Sequence, residues 1–167
     1  DSTTAFNLDF HSVASIARLQ LVNETGSAFT LDSIVFSSTD SRQLSGIFTV
    51  NNYKTEDPSL TSASNAAADK KIKLSSKNGT SLQLSVAATT DTTSSPSFYL
   101  VLPAYKGRHD STTFRLTMTV YAEGKNFARN FTVTTRRNGI TYMKAIAVTD
   151  LTPATPTTAV RLVGNGT

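Results

Sequence analysis

The sequence predicts an all-β protein, a β-sandwich of about seven to ten strands. Apolar side chains recur at every second position along most of its 167 residues, which is the period of a strand with one buried face. Turn residues separate these runs at intervals of about 8–12 residues, as in sandwiches and barrels. Charged residues make up only 17% of the chain, and Thr and Ser take their place. Because the branched Cβ of Thr packs well on a pleated sheet, this composition favours strands over helices.

The first half of the chain predicts four strands, separated by turns. They cover residues 6–10, 17–21, 29–36 and 44–50. Gly46 lies inside the fourth strand, which indicates a bulge or a close approach of another part of the chain. Residues 51–69 are the least hydrophobic stretch. They predict a long loop with one short helical turn at 66–69.

The second half predicts a hairpin, a central strand and three further strands. Asn78-Gly79 stands between two alternating runs, 72–74 and 82–86, and is the strongest short-range signal for a hairpin. Residues 98–102 are continuously apolar, which predicts a central strand covered on both faces. The last three predicted strands cover residues 114–120, 127–133 and 140–148, with turns at 123–126 and 138–139.

Residues 1–151 are predicted to form one sandwich domain, and residues 152–167 a linker or tail. After two prolines, the tail contains the run Val160-Arg161-Leu162-Val163, which has the form of an extra strand or of the start of a second domain. An open sheet edge presents N–H and C=O groups that an added strand can bond. One hypothesis is that the tail pairs with a sheet, in its own subunit or in a neighbouring one; the alternative is an ordinary final strand or a frayed terminus.

Residues that carry enzyme chemistry are few and scattered. The chain has no Cys, which excludes disulfides, thiolate metal sites and a Cys nucleophile. Its two histidines, His11 and His109, have no metal-ligand spacing. Carboxylates fall in predicted turns, at Glu24, Glu56, Asp57, Asp69 and Glu123. A calcium site at 56–57 or a hydrolase site assembled in space lacks any supporting motif. The sequence therefore predicts no enzyme, no catalytic or metal-binding residue and no cofactor.

The charge pattern limits the classes of partner. The net charge is +4, but the basic residues are scattered and the clusters at 70–73 and 136–137 have no interleaved aromatic residues. A nucleic-acid footprint is usually denser, so no nucleic-acid partner is predicted. No apolar run approaches the roughly 20 residues of a membrane span, so no transmembrane segment is predicted.

Two further patterns bear on surface ligands. Asn-x-Ser/Thr patterns occur at Asn23, Asn78, Asn130 and Asn165. Turn chemistry and the abundance of these residue types explain them better than glycosylation does. Tyr53 and Tyr105 lie at predicted strand ends and are candidates for an exposed sugar-stacking surface. Tyr99 and Tyr142 lie inside predicted strands, and we expect them to be core or half-buried.

Four segments, in order, resemble the N-terminal domain of the fimbrillins of Bacteroidales bacteria. They are Phe10-His11-Ser12-Val13-Ala14-Ser15 with the turn Asn23-Glu24-Thr25-Gly26, Leu31-Asp32-Ser33-Ile34-Val35-Phe36, Leu44-Ser45-Gly46-Ile47-Phe48 and Ser97-Phe98-Tyr99-Leu100-Val101-Leu102-Pro103. The resemblance covers residues 6–151. Fimbrillins usually have two such domains and a lipidated Cys, and this chain has the length of one domain and no Cys.

The resemblance implies a transthyretin-like Greek-key sandwich, exported as a lipoprotein to the outer-membrane surface of a Gram-negative bacterium. Subunits of this family polymerise by strand exchange, in which a strand of one subunit fills a groove that removal of an N-terminal strand opens in another. The expected function is that of a non-enzymatic fimbrial or adhesin subunit. Its partners would be other fimbrial subunits, by β-strand addition, and ligands on host or bacterial surfaces.

The alternative is a carbohydrate- or ligand-binding sandwich module of the bacterial envelope. An unfilled apolar groove along a sheet edge would favour the fimbrial subunit. Exposed coplanar Tyr53 or Tyr105 on a concave face would favour the binding module, and a cleft with two close carboxylates would favour an enzyme.

Overall fold

The computed structural model describes residues 12–55, 57–76, 78–86 and 95–153, which form an all-β sandwich, as predicted. The strands are β1 (Ala14–Val22), β2 (Phe29–Ser38), β3 (Phe48–Asn51), β4 (Ser59–Ser62), β5 (Lys71–Ser75), β6 (Leu82–Leu84), β7 (Ser97–Pro103), β8 (Ser111–Ala122), β9 (Lys125–Arg136), β10 (Ile140–Tyr142), β11 (Ile146–Ala147) and β12 (Thr152–Pro153). They outnumber the predicted strands because several have only two to four residues. Two single 3-10 turns, Ala68–Lys70 and Val148–Asp150, are the helical segments of these ranges. Over the same ranges, no helix has the length and apolar character needed to cross a membrane.

The strands form two packed sheets and one separate hairpin. In sheet 1, β1 pairs with β7 on one side and with β10 and β11 on the other. The pairing with β7 is antiparallel, and the pairing with β10 and β11 is parallel. Sheet 2 has the order β12, β9, β8, β2, with β5 and β6 on the far edge of β2. Strands β3 and β4 form the separate hairpin.

The core lies between the two sheets and is built by alternation along long strands. On β8, every second side chain from Phe114 to Val120 is buried. Leu19 of β1 and Leu100 of β7 close the core from sheet 1. Each such side chain contributes about 1.5–3 kcal/mol by leaving water. The period-two prediction for β1, β2, β8 and β9 is confirmed.

The predicted hairpin at Asn78-Gly79 is wrong. Strands β5 and β6 both run antiparallel to β2 along the same edge, with Ser75 opposite Ser33 and Leu82 opposite Leu31. They are therefore two parts of one interrupted strand. Between them, Ser76 and residues 78–81 lie outside the sheet as a loop-out, within which the N–H of Gly79 donates to the carbonyl of Ser76. The Asn-Gly pair turns this loop and does not join two paired strands.

The predicted strand at 44–50 and the long loop at 51–69 need correction. The strand begins only at Phe48, and the loop contains β4, which pairs with β3. The close approach predicted at Gly46 is present, because a Cβ there would lie 2.8 Å from Oδ1 of Asp69. Gly46 also has φ +86, which only glycine adopts without strain. The predicted helical turn is the 3-10 turn Ala68–Lys70.

The predicted strand at 140–148 is divided into β10 and β11, which pair with successive parts of β1 before the 3-10 turn Val148–Asp150. The first two residues of the predicted tail form β12 and pair with β9. The predicted strand at 6–10 and the rest of the tail, with the run 160–163, lie outside the described residues.

Candidate functional site

The free edge of β7 is the part of the sandwich best suited to bind another chain. Among the described strands, β1 is the only partner of β7. The prediction that this strand is central and covered on both faces is therefore wrong. Tyr99 is 55% exposed and Val101 58% exposed, whereas Leu100 and Leu102 are buried. β7 carries no charged residue, and its proline, Pro103, is its last residue, so the edge before Pro103 lacks the usual protection against pairing with other chains.

The backbone groups of Tyr99 and Val101 point toward this free edge. The N–H of Ala104 donates to the carbonyl of Val13 at 2.9 Å. In an antiparallel ladder, the backbone of every second residue bonds to the neighbouring strand. The N–H and C=O groups of Leu102 and Leu100 therefore also face β1. Tyr99 and Val101 alternate with them and direct their N–H and C=O groups outward. An added strand would bond these groups.

An apolar groove of about 300 Å³ lies beside this edge, between the rims of the two sheets. Its apolar lining comes from both sheets and consists of Leu31, Ile34, Leu74, Leu82 and Phe98. The groove opens where β5 and β6 leave Asp32 of β2 without a strand residue opposite. Phe98 is the residue of β7 in this lining, so the groove meets the free edge at the beginning of β7.

The opposite side of the sandwich has a second open edge, along β9. There β12 covers only Phe127 and Ala128. The hydroxyl of Thr141 donates to the carbonyl of Thr134 at 3.1 Å, which shows that this carbonyl points away from β8. The cleft beside this edge has a volume of about 290 Å³ and includes the charged side chain of Lys144 in its lining. This edge is thus already partly bonded, and its cleft is more polar than the groove beside β7.

The outer face of sheet 1 carries two rows of side chains that cross three strands. One row consists of Val101, Ile16 and Ile140, and the other of Tyr99, Arg18 and Tyr142. Tyr142 is 68% exposed. The expectation that Tyr99 and Tyr142 are core or half-buried is therefore wrong, since both rings stand on the solvent side of the sheet. Together, the two rows form an exposed surface that we call the tyrosine platform.

Tyr105, which the sequence offered as an exposed stacking residue, is half-buried and structural. Its hydroxyl donates to the carbonyl of Gln43 at 2.6 Å and bonds with Ser62 Oγ at 3.0 Å. Burial raises the pKa of Tyr105 above its ordinary value of 10.0, and the bond with Ser62 acts in the opposite direction. Tyr53 is 70% exposed, but its ring neighbours Lys54, with Nζ 5.6 Å from the ring centre.

Asp57 holds the β3–β4 hairpin to the rest of the molecule. Its carboxylate accepts from the backbone N–H of Arg108 and lies 3.4 Å from a guanidinium nitrogen of Arg137. The side chain of Arg137 is 4% exposed and also donates to the carbonyl of Pro58 at 2.6 Å. Asp57 therefore has a structural role in an ion pair.

The other predicted turn carboxylates stand apart from one another. Glu24 accepts from the Thr149 hydroxyl, and Glu123 accepts from the backbone N–H of Thr30. Throughout the described ranges, no three His, Cys, Asp or Glu side chains gather as a metal site. Glu56 and His11 lie outside the described residues, and His109 lies in an exposed turn.

Asn23 is buried, although it belongs to an Asn-x-Thr pattern. Its side-chain amide donates to the carbonyls of Ser27 and Leu84, both at 2.8 Å. Its Oδ1 accepts from the N–H and the hydroxyl of Thr25. Because Asn23 is buried and both of its amide hydrogens are engaged, this nitrogen is unavailable to a glycan in the folded protein. The turn role predicted for Asn23 is confirmed.

A scan of the chain against protein-family models finds no match. A search of the curated proteins also returns no significant match.

Proposed function

We propose that the protein is a non-enzymatic subunit of a bacterial surface fimbria or adhesin, which assembles by strand addition at the free edge of β7. One observation carries the proposal. Strand β7 has the continuous apolar sequence of an interior strand, yet among the described strands only β1 pairs with it, and its far edge is open. A strand from another subunit would supply the missing hydrogen-bond partner at this edge.

The energetics of the edge support this assembly. Each backbone hydrogen bond gained contributes about 0.5–1.5 kcal/mol net. Apolar side chains of the added strand would also fill the 300 Å³ groove, at about 25 cal/mol for each Å² removed from water. Neither contribution needs a rearrangement of β7, because its outward N–H and C=O groups are already aligned.

The donor we propose is the tail of a neighbouring subunit, residues 160–163. This run alternates Val160 and Leu162 with Arg161 and Val163, so one side of the strand is wholly apolar and suits the groove. The cellular setting, an exported lipoprotein at the outer-membrane surface of a Gram-negative bacterium, follows from the resemblance to fimbrillins. Transthyretin-like Greek-key topology belongs to the same proposal.

The test of the acceptor edge is the pair of variants Val101→Pro and Thr132→Pro. Proline at 101 removes an outward N–H while leaving the ladder with β1 bonded. Thr132 shares the parity of Thr134 and occupies the equivalent outward position on β9, which makes it a matched control. We expect Val101→Pro to stay monomeric where the parent chain and Thr132→Pro form multimers, in sedimentation experiments on the full chain before and after mild proteolysis.

Three results would overturn the proposal. They are a parent chain that stays monomeric under both conditions, a Val101→Pro variant that assembles like the parent, and loss of assembly in Thr132→Pro alone. Thermal unfolding of each variant verifies that it is folded.

The donor is tested separately by Val160→Asp combined with Leu162→Asp. The control is Thr157→Asp combined with Ala159→Asp, which places the same two charges outside the apolar run. We expect only the first variant to lose self-association. If the donor variant and its control assemble equally, the donor strand lies elsewhere. The proline variants still decide whether β7 is the acceptor.

A further inference from the structure

We propose that the tyrosine platform binds an acidic saccharide, with the rings of Tyr99 and Tyr142 stacked on sugar rings and Arg18 bound to a carboxylate. The proposal rests on the adhesive part of the proposed function and gives it a ligand class. It does not depend on strand addition.

The geometry places the three groups in one line. Arg18 lies on β1, opposite Tyr99 of β7 on one side and opposite Tyr142 of β10 on the other. Neighbouring strands are about 4.8 Å apart, so the two tyrosines stand roughly 10 Å apart, about the length of two sugar rings. The face of a pyranose ring is a flat array of C–H groups, which packs well on an aromatic ring.

Arg18 is held in place by its neighbours. Its Nε and Nη2 donate to Ser97 Oγ at 3.0 and 2.7 Å, and its Cζ lies 5.6 Å from the ring centre of Tyr142. A guanidinium has five N–H donors, so donors remain for a ligand. Because a carboxylate matches the planar fork of a guanidinium, a fixed arginine favours a carboxylate over a neutral hydroxyl.

The charges around Arg18 favour an anion. Among the six side chains of the platform, Arg18 is the only charged one. The next row consists of Gln20 and Ser97, which are polar and carry no charge. An apolar row on one side and a polar row on the other fit the two aspects of a sugar, its C–H face and its hydroxyl rim.

Strand addition at β7 would leave the platform open. Side chains on a sheet stand perpendicular to the direction of the backbone hydrogen bonds. Pairing with the outward N–H and C=O groups of Tyr99 and Val101 therefore does not cover their side chains on the outer face. Each subunit of an assembly would present one such site. A polymer would therefore bind a surface glycan more tightly than a single subunit, because its linked sites bind together.

The test is an NMR titration of the variant that combines Val160→Asp with Leu162→Asp, because its expected loss of self-association separates sugar binding from assembly and leaves the platform unsubstituted. The probes are a galacturonic acid tetramer, a neutral β-1,4-linked glucose tetramer and tetraglutamate. We expect the galacturonate to bind and to shift signals of the platform, the neutral tetramer to bind on the order of tenfold more weakly, and tetraglutamate to bind more weakly still because it lacks stacking faces.

Side-chain variants then assign the parts of the site. Tyr99→Ala and Tyr142→Ala should each weaken galacturonate binding on the order of tenfold, and Tyr142→Phe should retain most of it. Arg18→Gln should bind the acidic and neutral tetramers equally. Tyr53→Ala is the matched control, because Tyr53 also lies exposed beside a cation, Lys54, away from the platform, and its loss should change nothing.

The proposal is overturned if no saccharide binds, if the neutral and acidic tetramers bind the unsubstituted platform equally, or if tetraglutamate binds as well as galacturonate. An effect of Tyr53→Ala equal to that of Tyr142→Ala would also overturn it. Each of these outcomes leaves assembly at the edge of β7 untouched, which the proline variants decide.

Discussion

At the scale of single residues, buried polar side chains fix loops between strands. Asn23 bonds through both ends of its amide, and the buried Gln43 accepts from the N–H groups of Ala63 and Ser64 while donating to Ser45 and Ile47 carbonyls. Such groups are costly to leave unpaired in a dry interior. The sequence indicates that Asn23 is a turn residue, but its burial depends on Leu84, 61 positions away.

We expect Asn23→Ala to lower the free energy of unfolding by about 1–3 kcal/mol, because the buried carbonyl of Leu84 loses its donor. Asn78→Ala is the matched control from a second Asn-x-Thr pattern, since Asn78 is exposed in the loop-out. Its effect should stay within about 0.5 kcal/mol. Urea unfolding measures both, and equal effects would contradict the structural role of Asn23.

The raised pKa of Tyr105 predicts that the free energy of unfolding depends on pH in the alkaline range. Its folded-state pKa is raised above 10.0, so above pH 10 the folded state keeps a proton that the unfolded state has lost. The stability linked to Tyr105 is therefore complete below the unfolded pKa and falls as pH rises from 10.0 through the folded pKa. Tyr105→Phe should lose stability at neutral pH, because the bond to Gln43 is absent, and should show a shallower decline above pH 10. Parallel slopes for the two proteins above pH 10 would contradict this account.

At the scale of elements, the positions of the long strands β1, β2, β8 and β9 could be predicted, and the partners of the strands could not. Period-two alternation reports which side chain of β8 or β9 is buried, because that depends on neighbours within the same strand. Pairing depends on residues far apart in sequence. The run 98–102 therefore indicated a strand correctly. Its apolar sequence does not distinguish a strand with neighbours on both sides in its own chain from one whose second neighbour comes from another chain.

The same limit explains the error at Asn78-Gly79. Local turn chemistry is satisfied equally by a hairpin and by a loop-out, and only the shared partner β2 distinguishes them. The tyrosine platform was missed for a related reason. Tyr99, Arg18 and Tyr142 are distant in sequence, and only the order of the strands in sheet 1 aligns them.

The loop-out gives a sharp prediction about β5 and β6. Only Asp32 separates their partners on β2, so a single residue in place of residues 76–81 would join them into one continuous strand. We expect this variant to fold with stability within about 1 kcal/mol of the parent, because a loop is shortened and no pairing is lost. In a hairpin, one residue could not reverse the chain. A large loss of stability in urea unfolding would therefore contradict the collinear arrangement.

At the scale of the whole molecule, the sandwich is closed at its centre and open along its sides. Leu19, Phe114 and Met118 seal the core between the sheets, whereas the rims beside β7 and β9 leave backbone groups and clefts exposed. An uncharged, apolar edge such as β7 is a hazard in a monomer, and it is the feature that an assembling subunit requires. The two open sides differ in polarity, and this difference makes β7 the proposed acceptor.

Hydrogen exchange of the Tyr99 and Val101 amides, compared between monomer and assembled protein, tests the central claim most directly. In the monomer these N–H groups face solvent at the free edge and should exchange rapidly, whereas those of Leu100 and Leu102 are protected by β1. Assembly by strand addition should protect Tyr99 and Val101 and leave the exchange of Thr132 on β9 unchanged. Assembled protein in which Tyr99 and Val101 still exchange as fast as in the monomer would contradict the account.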